Sequence, residues 1–306
     1  MKNKKVRALV LLSGGLDSIL AVRLLLEQRI EVETVNFRTN FCGPGKARPA
    51  AKVLGVPLRE VSIREEFIPV LKNPKHGYGS GLNPCIDCHG LMLKKAARIM
   101  KEEGFDFIAT GEVLGERPMS QHKQALGIVE RESGLEGYLL RPLSAKVLEP
   151  TIPEKEGLVD REKLEGISGR TRRRQLELAE QFDIKEYPSP GGGCALTESG
   201  FVERLKVLMK NKPDFTPADV DLVRFGRHFW LNGIQIILGR DAQENELLKS
   251  LGQGNILLEM ENFPGPVALV RDAKQDDPVI EEAKKLLVKF SKAKDKDFSE
   301  VKFRFL

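Results

Sequence analysis

The stretch from Val6 to Leu20, VRALVLLSGGLDSIL, constrains the fold more than any other. Val6 to Leu12 is a short apolar run that reads as a buried strand, and from Ile19 the apolar spacing becomes helical. Between them, Ser13-Gly14-Gly15-Leu16-Asp17-Ser18 makes a tight turn into a helix N-terminus. Two glycines let the backbone approach a phosphate, Ser13 and Ser18 add hydroxyls, and the helix dipole favours negative charge. An ordinary strand-to-helix turn also uses Gly and a capping Ser. Two serines and an aspartate on a double glycine exceed what such a turn needs. The Lys of a Walker A loop, GxxxxGK[ST], is absent, and so is the dinucleotide fingerprint GxGxxG.

The chain beyond this stretch alternates. A helix over about 17–29 precedes a second strand at Glu31–Phe37, and the Gly43-Pro44-Gly45 turn leads to a helix ending near Leu54. Pro57–Ile63 reads as a third strand. This β-α-β-α-β order predicts an α/β fold with a doubly wound parallel sheet, whose ligands bind at the carboxyl ends of the strands. Residues 73–84 form a Gly/Pro-rich loop that delivers Cys85-Ile86-Asp87-Cys88-His89 to the start of a helix running to Glu103. A fourth strand is expected at Phe105–Thr110 and a fifth at Tyr138–Leu143. Helices follow near 160–165 and from Gly169 to about Phe182. The pattern changes after Cys194, so we place a domain boundary near 197: residues 1–197 carry the parallel sheet, and 198–306 form a smaller α+β domain.

Four cysteines in a chain of 306 residues argue against a disulfide scaffold and for metal or catalytic use. A net charge of +5 is compatible with a polyanionic partner. No run approaches the ~18 apolar residues of a membrane span. The Lys-rich start and short apolar run superficially resemble a signal peptide, but they lead into the phosphate turn rather than a cleavage site. The reading is a cytoplasmic protein with no membrane partner.

SGGLDS directly after the first strand resembles the pyrophosphate loop (PP-loop) of the N-type ATP pyrophosphatases. The resemblance implies a Rossmann-like fold of the HUP, adenine nucleotide alpha hydrolase-like class. It implies cleavage of ATP between the α- and β-phosphates and activation of a substrate oxygen as an adenylate. Ser13, Gly14, Gly15, Asp17 and Ser18 would then contact ATP, with Asp17 holding Mg²⁺ or orienting the loop. Gly111 matches the family's second nucleotide turn, and Phe37 and Arg38 stand where the adenine is received.

A CxxC at a helix N-terminus is expected to have depressed thiol pKa values. Alone it supports a redox dithiol, half of a zinc site or part of an iron–sulfur cluster. Together with Cys194 after Pro190-Gly191-Gly192-Gly193, it resembles the tRNA-thiolating branch of the PP-loop superfamily. In the cluster-dependent members of that branch a CxxC and one distant Cys hold a [4Fe-4S] cluster, and Cys85, Cys88 and Cys194 match those positions. Zinc on Cys85, Cys88, His89 and Cys194 is an alternative. A cluster-free form of the chemistry has Cys194 as persulfide carrier and Cys85 as its partner. Asp17, Cys85 and Cys194 are the expected catalytic residues. Cys42 matches no motif and reads as structural, with a fourth ligand or a sulfur carrier as the alternative.

The run Gly169-Arg170-Thr171-Arg172-Arg173-Arg174 reads either as a solvated helix start or as RNA contacts through its four arginines. Arg224–Trp230 and Leu238–Glu246 resemble the NFACT-R module, which implies RNA binding by the second domain. The expectation is an ATP-dependent tRNA sulfurtransferase that makes a thiouridine, with tRNA as partner. A PP-loop enzyme acting on a small-molecule acceptor and a non-catalytic RNA-binding factor are the alternatives. The sulfur donor, free sulfide or a persulfide carrier, and assembly as a homodimer are left open.

Overall fold

A computed structural model describes residues 5–42, 45–187, 193–252 and 254–306. Gly43 and Pro44 of the expected turn, and Pro190, Gly191 and Gly192 before Cys194, lie outside the described residues. The chain forms two compact units, Met1–Thr197 and Glu198–Leu306.

In the first unit, β1 (Arg7–Leu11) is central, and its apolar residues are buried on both faces, as a parallel strand covered by helices must be. It pairs with β2 (Glu31–Arg38) on one side and β4 (Phe107–Thr110) on the other, with Leu11 opposite Val35 and Thr110. With β3 (Leu58–Ser62) and β5 (Leu139–Leu140) the order is β3-β2-β1-β4-β5, all parallel. The order reverses at β1, which places the crevice of a doubly wound sheet over the carboxyl ends of β1 and β4. The helices are α1 (Leu16–Leu26), α2 (Ala47–Leu54), α3 (Arg64–Lys72), α4 (Cys85–Glu103), α5 (Lys123–Ser133), the single turn α6 (Ile152–Lys155) and α7 (Arg173–Gln181). One face of the sheet packs against α1, with Leu16, Leu20 and Leu25 fully buried; the other packs against α4 and α5 through Leu93, Ala96, Ala125 and Val129.

Several elements differ from the sequence reading. Helix α1 ends at Leu26, because Arg29 adopts φ 61° and the Ile30 N–H returns to the Leu25 carbonyl. The strand expected over 138–143 shrinks to two residues: Arg141 turns its side chain to Glu112 and Glu130, and Pro142 has no N–H to give. Residues 161–163 are a 3₁₀ turn, and α7 starts at Arg173. Three helices were not anticipated: α3, which carries Pro69 inside it; α5, which buries Ala125, Leu126 and Val129; and the single turn α6.

The second unit opens with α8 (Ser199–Asn211) and α9 (Pro217–Val223). Its antiparallel sheet runs β10-β8-β9-β7-β6, from β6 (Arg227–Leu231), β7 (Ile234–Leu238), β8 (Ile256–Met260), β9 (Ala268–Arg271) and β10 (Phe303–Phe305). Asn232 and Gly233 both take positive φ between β6 and β7, the mirror-image turn that suits a two-residue hairpin. Two further helices, α10 (Ala242–Leu251) and α11 (Val279–Lys289), complete the unit, with Ala283 and Leu287 packed on Ile236, Leu258 and Val270. Among the described residues no helix is long and apolar enough to cross a membrane.

Candidate active site

The turn after β1 is held open by its own side chains. Ser13 Oγ accepts from the Gly15 N–H at 3.2 Å and donates to Ser18 Oγ at 3.1 Å; Ser18 Oγ donates to the Gly15 carbonyl at 2.8 Å. Gly14 takes φ 80°, and a Cβ there would stand 2.3 Å from the Lys46 carbonyl carbon. A Cβ on Gly111 would stand 2.5 Å from the Ser18 nitrogen. Both glycines are thus required by close backbone approach, and they bring the loops after β2 and β4 onto the phosphate turn. Phe37 is buried in the core with Leu9 and Ile63, so the edge at 37–38 offers backbone rather than an open ring; Arg38 lies 3.8 Å from Glu60.

Asp17 is only partly hydrogen-bonded: its Oδ1 is buried with no partner. Burial pushes its carboxyl pKa up, against the opposing pull of Arg172 and Arg117. The Glu116 carboxyl is raised too, by burial and then by the charge of Asp17, against Arg117 and Arg172. Arg172 immediately precedes α7 and its Nε is buried without a partner; the fully buried Gln175, one turn in, faces Asp17 and lowers its carboxyl pKa through a side-chain hydrogen bond. The four arginines of this run therefore separate. Arg172 acts on the phosphate turn, Arg174 is paired with Glu165 and Glu177, Arg173 reaches solvent beside Glu177, and Arg170 is exposed. A Mg²⁺ ion needs only one or two carboxylates plus substrate phosphates. Asp17, with an unpartnered buried oxygen, fits such an ion.

Beyond β4 a second charged group is closed. Glu112 accepts from His89 Nδ1 at 2.8 Å, Thr110 Oγ1 at 3.0 Å and Arg141 Nε at 3.1 Å. Burial alone would raise this carboxyl; the Arg141 guanidinium, with His89 and Thr110, more than reverses that and holds it at about 2. His89 is thereby a partner of Glu112 rather than a neighbour acting with Cys88.

The cysteines converge from three loops. Cys42, on the loop after β2, faces Cys194 in an antiparallel bridge, and the Ala195 N–H donates to the Phe41 carbonyl at 2.8 Å. The Leu82 N–H donates to the Leu196 carbonyl, which ties the 73–84 loop to the same segment. Asn83 donates to Cys85 Sγ at 3.1 Å, so the Asn of Asn83-Pro84-Cys85 orients that sulfur. The Cys88 thiol is pushed well up, by burial first and then by Cys42, Cys85 and Asp87; a depressed value was expected from its place at a helix N-terminus. The Cys194 thiol is also raised, by its hydrogen bond with Cys42 and by burial. Among the described residues no group of three or more His, Cys, Asp or Glu is arranged to hold a metal ion. Cys88 is close enough to feel Cys42 and Cys85, and Cys194 to feel Cys42 and Cys88, so the sulfurs gather at one place; as they stand Cys194 is hydrogen-bonded with Cys42 and Cys85 with Asn83. Sequence reasoning missed Cys42, Asn83 and Glu112. The NPC tripeptide was the available signal for Asn83; no spacing signals Cys42, because its partner comes from the far end of the unit.

Residues 6–154 match the family described as the tRNA methyl transferase HUP domain, and residues 226–305 match the NFACT protein RNA binding domain. The first unit is thus similar to the PP-loop domains of the tRNA-thiolation family. Its curated relatives include the tRNA-specific 2-thiouridylase MnmA of Syntrophotalea carbinolica, 37% identical over 36% of this chain and 36% of the relative. MnmA of Caldicellulosiruptor saccharolyticus is 31% identical over 48% of this chain and 43% of the relative. MnmA 1 of Syntrophus aciditrophicus is 27% identical over 66% and 56%. The chain thus spans between about a third and a little over half of these relatives' lengths. A solved 4-thiouridine synthetase–RNA complex with bound ATP is 22% identical over 68% of this chain and 51% of that chain, at a TM-score of 0.38. The matched residues 6–154 contain the SGGLDS turn and the parallel sheet beneath it.

Proposed function

We propose that this chain is an ATP-dependent tRNA sulfurtransferase that adenylates a uridine carbonyl oxygen and replaces it with sulfur. One observation carries the reading. The phosphate turn is packed through Gly14 on the loop that bears Cys42, and Cys42 is bridged to Cys194, so nucleotide activation and thiol chemistry share one end of one sheet. The PP-loop and thiouridylase matches support the same reading.

A uridine carbonyl is a weak electrophile with a poor leaving group, and converting its oxygen to an adenylate remedies both. The turn's backbone N–H groups, the α1 N-terminus and the Ser13 and Ser18 hydroxyls stabilise charge developing on the phosphates. Arg172 and Arg117 supply the positive charge that a Walker lysine supplies elsewhere, and pyrophosphate leaves. A Mg²⁺ ion on Asp17 would add charge neutralisation at the phosphates. Cys194, loaded as a persulfide by a persulfide donor, attacks the ring carbon through its outer sulfur, and AMP leaves. The Cys85 thiolate, oriented by Asn83, then attacks the Cys194 sulfur; the S–S bond breaks, the outer sulfur stays on the uridine, and the resulting Cys85–Cys194 disulfide is reduced by an external thiol. The version with a [4Fe-4S] cluster on Cys85, Cys88 and Cys194 requires Cys194 to leave Cys42, so we carry the reaction through thiols alone. The matched RNA-binding module of the second unit, with Arg170 and Arg173 on the first, would hold the tRNA.

Thionucleoside analysis of bulk tRNA from a strain lacking this gene, with ATP turnover of the purified protein, tests the proposal. Loss of one thiouridine and formation of AMP plus pyrophosphate are expected. An unchanged thionucleoside profile overturns the tRNA substrate and leaves a small-molecule acceptor, whereas ADP as product overturns the PP-loop chemistry. Brown protein after anaerobic purification would restore the cluster.

A further inference from the structure

We propose that Cys42 and Cys194 form a reversible disulfide, a modification site that takes Cys194 out of sulfur transfer while leaving the nucleotide turn intact. The argument begins with backbone geometry. The two residues are bridge partners in an antiparallel pair, and the Ala195 N–H bonds to the Phe41 carbonyl, the residues just outside the pair. That pattern defines the closely spaced, non-hydrogen-bonded kind of pair, in which facing Cα atoms stand about 4.5 Å apart and the side chains lie on the same face. A disulfide spans Cα separations of about 4.4–6.8 Å, so the pair can close with little backbone movement. The side chains already meet, since the Cys194 thiol is hydrogen-bonded with Cys42.

The other sulfurs are placed differently. Cys85 is turned to the Asn83 amide, and Cys88 is half-buried, whereas Cys42 is exposed. A disulfide in solution therefore reaches Cys42 first. The Cys42 thiolate attacks a low-molecular-weight disulfide, forming a mixed disulfide and releasing one thiolate. The Cys194 thiol, giving up its proton, then attacks the Cys42 sulfur and expels the second thiol. Two protein thiols are oxidised, one small disulfide is reduced to two thiols, and an excess of small thiol reverses both steps. The Ala195–Phe41 backbone hydrogen bond beside the pair is unchanged, and so is the Gly14 contact with Lys46.

The consequence for sulfur transfer rests on the function proposed above. The bridge itself is mapped without tRNA or ATP, so either can fail alone. The full chain is equilibrated with oxidised and reduced glutathione at several ratios, trapped with an alkylating agent, and digested without reduction for mass spectrometry. The expected result is a Cys42–Cys194 linked peptide that disappears on reduction, with ATP affinity of the oxidised protein within about twofold of the reduced form. Cys42→Ser is expected to abolish the bridge to Cys194, and Cys85→Ser to retain it. A bridge from Cys194 to Cys85 or Cys88, a bridge confined to Cys85 and Cys88, or four free thiols throughout the glutathione series would each overturn the proposal. If Cys42→Ser fails to fold, the wild-type peptide map still decides.

Discussion

Asp17 and Glu112 are carboxylates near the carboxyl end of one parallel sheet, each with arginine charge acting on it, and they are treated in opposite ways. Glu112 is fully enclosed and accepts from an imidazole, a hydroxyl and a guanidinium, which hold its pKa at about 2. Asp17 keeps a buried oxygen without a partner and has a raised pKa, while Arg172 beside it also keeps an unpartnered nitrogen. Buried polar groups in a folded chain are almost always paired, so an unpaired one needs a reason. Glu112 and Arg141 complete each other and fix the loops after β4 and β5. Asp17 and Arg172 each keep one buried atom unpaired, and under the proposed function a magnesium–triphosphate would match both signs of charge.

The contrast predicts opposite phenotypes for the same chemical change. Asp17→Asn should lower pyrophosphate release by about a thousandfold, the scale expected when a preorganised charge at a reacting phosphate is lost. It should also raise thermal stability at neutral pH. The sign follows from the raised pKa: a carboxyl that ionises less readily in the fold contributes stability at low pH and loses it as pH rises, so a neutral amide removes a cost. Turnover and a melting curve on the same sample check both halves. A variant that melted lower and still turned over ATP would erase the distinction drawn here.

Glu112→Gln should do the reverse. Removing one of the two carboxylates that hold the buried Arg141, the one on which His89 and Thr110 also converge, costs about 1–3 kcal/mol, read as a lower denaturation midpoint, with ATP turnover of the folded fraction reduced far less than by Asp17→Asn. The pH dependence sharpens the point. With a pKa of about 2 in the fold against 4.5 for an unperturbed glutamate, Glu112 contributes its full stability above about 4.5 and loses it as pH falls toward 2. The wild type should therefore lose stability through that window with a steeper slope than the variant. Parallel slopes would show that Glu112 is not held down in the fold.

This asymmetry also marks where sequence reading succeeded. SGGLDS is a local pattern: six consecutive residues make the turn and helix start directly after the strand, and their hydrogen bonds close within the segment. Its place at the carboxyl end of a parallel sheet followed from strand–helix alternation, and the sheet order agrees. Long-range pairing was not legible. Cys42 has no motif, and its role comes from lying opposite Cys194 across a bridge. Glu112 looked like any loop acid until Arg141 and His89 closed on it. The CxxC pointed to a helix N-terminus correctly, but the inference to a depressed thiol ignored burial, which dominates at Cys88. The arginine run read as one basic patch because composition carries no direction; helix geometry sends its members to different places.

The smallest expected effect separates those arginines. Arg172 has a buried, unpartnered Nε and acts on Asp17 and Glu116, whereas the Arg173 side chain is 91% exposed and touches Glu177 one turn along α7. Arg172→Ala should weaken ATP binding about tenfold, the loss of one charge-assisted phosphate contact. Arg173→Ala should leave ATP binding within about twofold, because an exposed pair spaced i,i+4 positions nothing at the turn. On tRNA the order should invert. If Arg173 meets an RNA phosphate, its loss weakens binding modestly and lowers the slope of log affinity against log salt by about one. Arg172→Ala should leave that slope unchanged, since a side chain satisfied by a triphosphate displaces no counterion from RNA. Titrating both variants with ATP and with tRNA at several salt concentrations measures the two slopes directly. Equal slopes would mean that the run acts as one patch after all, and that Asp17 waits for a different cation.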